Sequence, residues 1–361
     1  MYRRDKESAL VSKGVVKIRW FALLTLLMVT ACASSDEQTT APNEGSADVI
    51  VENLQIPWEI VKSGETFYMT EREGTIAKYE DGKLDREEIM LDKPLLTKGE
   101  GGLLGIELYP DFSESGKAFV YHTYEEDGQT VNRVIEATKS DNGWNETNEL
   151  ISGIPGSLYH NGGRIKIGPD EKVYITTGDA TNPDLAQDKT SLAGKILRMN
   201  QDGSIPDDNP FANSYVYSYG HRNPQGLAWD DGGQLYSSEH GDSAHDEINK
   251  IVPGENYGWP VIEGDEEQEG MTSPMYHSGK DTWAPSGIVI KDQTLYAATL
   301  RGNEVRSFAL DENNSETVIS GFGRLRSLYY DDSLYAVTNN TDGRGNASEK
   351  DDRFIEIQLN K

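Results

Sequence analysis

The sequence predicts an all-β fold, a six-bladed β-propeller, on three observations. One phrase recurs six times: a turn with Gly or Asp leads into an apolar-Tyr pair, then small or β-branched residues. Each copy is followed by a second short strand-like run, so the strands come in pairs. Few long stretches show helical periodicity, while 36 glycines punctuate the chain.

The first pair is TFYMT (Thr66–Thr70) with TIAKY (Thr75–Tyr79). AFVYHT (Ala118–Thr123) is followed by RVIEAT (Arg133–Thr138), and KVYITT (Lys172–Thr177) by KILRM (Lys195–Met199). QLYSS (Gln234–Ser238) precedes EINKI (Glu247–Ile251), and TLYAAT (Thr294–Thr299) precedes EVRSF (Glu304–Phe308). The last pair is SLYAVT (Ser333–Thr338) with FIEIQL (Phe354–Leu359). Six pairs spaced by roughly 40–60 residues are the mark of a propeller, whose small sheets bury their faces by packing in a ring. An open sandwich has similar strands but needs no repeated phrase. The reading is one domain over residues 49–361, with residues from distant segments meeting at the mouth of a central channel.

The N-terminus reads as address rather than fold. A basic region (Arg3, Arg4, Lys6, Lys13, Lys17, Arg19) precedes an apolar run from Trp20 to Thr30, too short for a permanent span. Val29-Thr30-Ala31-Cys32 then resembles a bacterial lipoprotein signal, with residues 1–31 removed and Cys32 lipidated. Cys32 is the only cysteine, so no internal disulfide forms. Residues 32–48 read as a flexible, polar tether. The expectation is an extracytoplasmic, membrane-anchored protein. The net charge of −27 argues against nucleic acid or anionic lipid as a partner.

The densest stretch is Tyr219–Pro260. It holds Arg222, the amides Asn223 and Gln225, a Gly241-Asp242 corner, and the carboxylates Asp246 and Glu247. Three further segments stand out. KGEGGLLGIELYPDF (Lys98–Phe112) is Gly-rich and carries Glu100. YHNGGRIKIGPDEKVYITTGD (Tyr159–Asp179) puts His160 before one strand and Asp179 after the next, ends that lie side by side in an antiparallel pair. A His beside an Asp is an oriented base. Arginines form the last group: Arg222, Arg301, and Arg324 with Arg326, which share a strand face. Like charges side by side need an anion or carboxylates between them, so this group fits either a polycarboxylate ligand or salt bridges to the abundant acids. No P-loop, CxxC, HExxH or serine elbow occurs.

HNGGRIKIGPDEKVYITTGD, GHRNPQGLAWD, SEHGDSAHDEIN, NYGWP and GRLRSL, in this order, resemble the soluble quinoprotein glucose and aldose sugar dehydrogenases. The resemblance runs from about Leu54 to the C-terminus. It implies a six-bladed propeller that binds pyrroloquinoline quinone (PQQ) and calcium and oxidises aldoses to lactones, passing electrons to an external acceptor. It implies His160 as the base, Asp179 as its support, and Arg222 beside the reacting quinone carbonyl. Asn223, Gln225 and Arg301 would contact the cofactor, and Arg324 with Arg326 would clamp its carboxylates. Calcium would be held by the carbonyls of Gly241 and Asp242 and by the quinone. A second, structural calcium would use Glu247 and the carbonyl of Tyr257. Glu100 stands where the family has Gln at the sugar site, Tyr159 is not the polar residue of the glucose enzymes, and Asp242 replaces a Pro. The long insertions of the glucose-specific enzymes are missing, which favours a broad aldose range. Two other classes compete: a propeller lipoprotein that binds sugar or protein without turnover, and a calcium-dependent lactonase, which has no need of several arginines.

Overall fold

A computed structural model describes residues 46–359. The segment read as a signal, Cys32 and most of the stretch read as a tether lie outside the described residues. The described residues are all-β: they form twenty-four strands and two one-turn helices. Among the described residues no helix is long and apolar enough to cross a membrane.

The strands fall into six antiparallel sets of four. Each repeated pair read from the sequence forms the second and third strands of one set. The first strands are Pro57–Ser63, Leu103–Leu108, Ile165–Ile167, Pro224–Trp229, Pro285–Lys291 and Leu325–Tyr330. Short hairpins join them to their partners; in the first set Ser63 pairs with Thr66 across Gly64-Glu65, and Gly64 sits at φ +57. Sets one and two are fused by a short parallel pairing, Ile89 with Trp144 and Met90 with Asn145. The sixth set takes its fourth strand from the other end of the chain: Ala47–Val51 pairs with Phe354–Ile357. That strand begins two residues inside the stretch read as tether.

The sets touch in cyclic order through their first strands, and the sixth touches the first. The apolar cores obey the same order. One core joins Tyr68, Ile76 and Ile89 to Val120, Ile135 and Trp144. The next joins Phe119, Tyr121 and Ile154 to Ile175, Leu197 and Val216. The last joins Val337 and Phe354 of the sixth set to Ile60, Phe67 and Met69 of the first. A middle strand is therefore covered on both faces, which is why Val173–Thr177 is buried throughout instead of alternating. First strands approach so closely that side chains do not fit everywhere: a Cβ on Gly226 would lie 2.3 Å from the Ser286 carbonyl oxygen.

The innermost space is filled by polar groups. Buried Arg164 pairs with buried Glu59 and lies 4.3 Å over the Trp58 ring. It donates to Ser327 Oγ at 3.1 Å and to the Gln225 carbonyl at 2.7 Å. A buried charge is tolerated only with this degree of pairing.

Candidate active site

Most candidate side chains sit where a first strand begins or a second strand ends; Glu247 opens a third strand, and Tyr257 follows that strand. In an antiparallel pair the start of the first strand and the end of the second share one edge, so six sets present them on one side. Glu100 precedes Leu103–Leu108, His160 precedes Ile165–Ile167, and Arg222 precedes Pro224–Trp229. Asp179 follows Val173–Thr177, His240 follows Leu235–Glu239, Arg301 follows Thr294–Thr299, and Arg344 follows Leu334–Thr338.

His160 and Asp179 meet as the sequence suggested: Nδ1 lies 2.7 Å from Asp179 Oδ1. Asp179 is fully buried and also accepts from Trp259 Nε1 at 2.9 Å and the Thr181 N–H at 2.8 Å. A carboxylate that only accepts keeps the ring proton on Nδ1 and leaves Nε2 its lone pair. His160 has left-handed backbone, φ +60, a conformation that costs about 1–3 kcal/mol and must be held by its surroundings. The holders are visible. Its N–H donates to Glu100 Oε2 at 3.1 Å, and its carbonyl accepts from the Ala180 N–H. The same carbonyl packs on Gly178, where a Cβ would lie 2.1 Å away, so no larger residue fits.

Arg222 lies 5.2 Å over the Trp259 ring and donates to Asp242 Oδ1 at 3.2 Å and the His240 carbonyl at 3.3 Å. Its backbone N–H bonds Glu239. Asn223 accepts from the Gly162 N–H at 3.1 Å. Gln225 accepts from Ser286 Oγ and from Arg326 Nη1 at 2.6 Å.

Arg324 and Arg326 point inward together, and both are buried. Their partners differ. Arg324 donates to Asp342 Oδ2 at 3.1 Å. Among the described residues Arg326 hydrogen-bonds only the neutral oxygens of Gln225, Ser286 and Asn339. Burial pushes the Arg326 guanidinium well below its ordinary range, with Arg344 and Arg324 adding repulsion. Buried N–H groups on Arg222 (Nε), Asn223 (Nδ2) and Arg326 (Nε) have no acceptor among the described residues. Such orphans are rare in native proteins and point to a missing partner.

Arg301 is exposed and shares a cavity with Leu300, Asn303, Arg324 and Arg344. Gly241 donates to Asp246 Oδ1. Asp246 itself is a loop organiser: its other oxygen takes Thr282 Oγ1 and the Trp283 and Ala284 N–H groups. Burial and neighbouring Glu239 push the Glu247 carboxyl up to about 8. Glu239, Glu247, Glu263 and Tyr257 line one small cavity beside Arg222. No three acidic, His or Cys side chains among the described residues close on one metal position.

Sequence reasoning missed several residues. Arg344 donates to Glu100 Oε1 at 2.5 Å and to Asp342 Oδ2 at 2.8 Å. His240, between Arg222 and Gly241, has a buried Nε2 without a partner, and burial pulls its ring down to about 4. Trp259 holds Asp179. The signals were present in Asp342-Gly343-Arg344-Gly345, a basic residue in a tight turn, and in the Glu239-His240-Gly241 run.

Residues 54–346 match the family described as Glucose / Sorbosone dehydrogenase. The chain belongs to the glucose/sorbosone dehydrogenase family. This member is 31% identical over 252 residues to an aldose sugar dehydrogenase of Escherichia coli, covering 66% of this chain and 67% of that one. It is 38% identical over 208 residues to quinoprotein glucose dehydrogenase B of Acinetobacter calcoaceticus, covering 49% and 44%. The PQQ-bound aldose sugar dehydrogenase of Streptomyces coelicolor superposes with a TM-score of 0.81 at 37% identity, over 88% of this chain and 99% of that one. As a dehydrogenase-family site, the His160–Asp179 pair beside an arginine cluster has a coherent chemical reading.

Proposed function

We propose that this chain is a PQQ- and calcium-dependent aldose dehydrogenase that converts sugars to lactones. Its six sets of strands are read as the six blades of a propeller. The observation that carries the proposal is Arg326: a buried guanidinium with neutral partners only, flanked by orphaned N–H donors. A polycarboxylate supplies what that donor set lacks.

The residues fit the cofactor. Arg324, Arg326 and Arg301 would hold its carboxylates, with Asn223, Gln225 and Arg222 contacting the ring system. Bound there, the quinone supplies the acceptor for the hydride on the anomeric carbon. His160 Nε2 takes the proton of the anomeric hydroxyl, and Asp179 steadies the imidazolium that results. Arg222, held over the Trp259 ring, presents a fixed positive charge where negative charge develops. Calcium would be held by the carbonyls of Gly241 and Asp242, since hard cations take oxygen ligands. Glu247, with the Tyr257 carbonyl, is read as the second calcium position; the crowding of Glu247 against Glu239 supports a cation there. Lipidation at Cys32 would tether the enzyme outside the cytoplasmic membrane, within reach of an external electron acceptor.

Reconstitution tests this reading. The purified chain is titrated with PQQ in the presence and absence of calcium, and dye reduction is followed with several aldoses. Calcium-dependent quinone binding and sugar-dependent reduction, both measurable, with reduction lost in His160→Ala, are expected. Absence of quinone binding would refute the proposal.

A further inference from the structure

We propose that Tyr121 and Asn132 are positioning residues for the base: buried in the second set, they clamp Asn161 and through it fix the backbone and aim of His160. The inference rests on the sugar-oxidation reading and adds residues that act on the reaction only through His160.

The clamp follows from strand alternation. Along Lys117–Glu126 every second side chain faces the third set, where Phe119 and Tyr121 share a core with Ile175 and Leu197. Thr123 is the next residue on that face, and Asn132 stands opposite it on Gln129–Ser140. Tyr121, Thr123 and Asn132 are all fully buried. Elsewhere the same face is apolar, with Phe119, Val134 and Ile154. It turns polar where it meets the loop that carries His160 into Ile165–Ile167. Buried polar side chains cost free energy unless they are paired, so packing alone would favour apolar residues here too.

The network converges on Asn161, the buried residue after the base. The Tyr121 hydroxyl donates to the Asn161 carbonyl at 2.9 Å. Asn132 Nδ2 donates to Asn161 Oδ1 at 3.1 Å and to the Pro155 carbonyl at 3.3 Å. Thr123 Oγ1 donates to Asn132 Oδ1 at 2.8 Å, which sets the way that amide faces. Asn161 in turn closes the loop: its Nδ2 donates to the Ser157 carbonyl at 2.9 Å, and its Oδ1 accepts the Ser157 N–H at 3.1 Å. Gly156 lets the chain pass, since a Cβ there would lie 2.7 Å from Asn132 Nδ2. Ser157 Oγ bonds Thr181 Oγ1 at 2.9 Å, and the Thr181 N–H donates to Asp179. The clamp therefore reaches both members of the His160–Asp179 pair.

The state of pairing separates holding groups from binding groups. Among the described residues, donors on Arg222, Asn223 and Arg326 lack acceptors, whereas no buried side-chain atom of Tyr121, Thr123, Asn132 or Asn161 does. A buried polar network that is fully paired without a ligand rigidifies its surroundings. Rigidity is what His160 needs, because its left-handed backbone persists only under restraint. Glu100 and Ala180 hold its own N–H and carbonyl, and the clamp fixes the residue that follows. A freed Asn161 lets the ring tilt away from Asp179 and from the reacting hydroxyl.

The test compares the parent protein with Tyr121→Phe and Asn132→Leu, which keep side-chain shape and delete the hydrogen bonds. With PQQ and calcium loaded, kcat on an aldose should fall about tenfold in Tyr121→Phe and about 10²-fold in Asn132→Leu, with KM and the quinone Kd within about twofold of the parent. Without quinone, proton–nitrogen correlation spectra of protein carrying isotope-labelled histidine read the ring directly. The His160 signal, assigned by its loss in His160→Ala, should show the Nδ1–H tautomer in the parent and a mixture of tautomers in both variants. Thermal melts run alongside. A lowered melting temperature with kcat and tautomer unchanged makes the network merely structural and overturns the inference. A KM or quinone Kd that moves as far as kcat overturns it too. If Asn132→Leu fails to fold, Tyr121→Phe decides. A parent protein that oxidises no aldose overturns the sugar-oxidation reading, and the spectra then decide by themselves whether the clamp positions His160.

Discussion

Replacing Arg326 by Met should raise the stability of the cofactor-free protein while weakening its hold on PQQ. Arg326 is 3% exposed, lies 5.9 Å over the Trp58 ring, and donates hydrogen bonds to Gln225 at 2.6 Å, Asn339 at 3.2 Å and Ser286 at 3.4 Å. Hydrogen bonds from a charged donor contribute about 1.5–3 kcal/mol each at best, and only the Gln225 contact is short. Against that stands the effective cost of burying one cation without a counter-ion, several kcal/mol. Methionine fills similar volume and removes the charge. Gln225 keeps Ser286 as a donor, while Asn339 loses one. The balance favours the variant by about 1–3 kcal/mol, within the range found when buried ionic groups are replaced by apolar ones. For quinone binding the sign reverses. Losing one partner of a buried charge pair costs about 3–5 kcal/mol, or roughly two to four decades in Kd. The assay is paired: thermal melts of both cofactor-free proteins, then titration with PQQ. A variant that melts well below the parent, yet binds quinone as tightly, would refute the reasoning.

Other outcomes follow from the same geometry. Asp179→Asn should keep the fold and KM but lower kcat by about 10²–10⁴-fold, since the base loses its charged support; steady-state kinetics checks this. Gly178→Ala places a methyl 2.1 Å from the His160 carbonyl oxygen and should cost about 10²-fold in kcat through displacement of the base, with quinone titration largely unaffected. His122 is fully buried and accepts from Arg133 Nε at 2.7 Å; burial, then Arg133, pulls its ring down to about 3. The unfolded chain then binds the extra proton between pH 6.5 and 3, so His122 removes stability as pH falls through that window. The slope is about 1.4 kcal/mol per pH unit, near 5 kcal/mol in all. His122→Gln should flatten urea-unfolding stability across pH 6 to 4, and an unchanged slope would contradict it.

Much of the fold was legible because its signal is local. The phrases around Phe67-Tyr68, Val173-Tyr174 and Leu334-Tyr335 fall on middle strands, which are covered on both faces and must be apolar along their length. The repeated phrase did not extend to the first and fourth strands, for the opposite reason. Ile165–Ile167 is short, and Lys83–Met90 is largely exposed, so neither carries a strong pattern. Within the site, His160 and Asp179 lie on the ends of one hairpin, and a single antiparallel step brings them together. Arg344 and Glu100 are separated by 244 positions, and nothing local links them.

The sequence by itself determined the local chemistry: strand pairs, turn glycines, a histidine and an aspartate at neighbouring strand ends, and two arginines on one strand face. Those follow from the alternation of strands and the steric freedom of glycine, which act over a few residues. Only the tertiary structure decided which charges are paired. Arg324 found Asp342 while Arg326, two residues on, found only amides and hydroxyls. It also closed the sixth set with Ala47–Val51 and joined Arg344 to Glu100. The physical reason is that pairing of buried charges depends on which loops a ring of sheets brings to one edge, and that contact order is long-range.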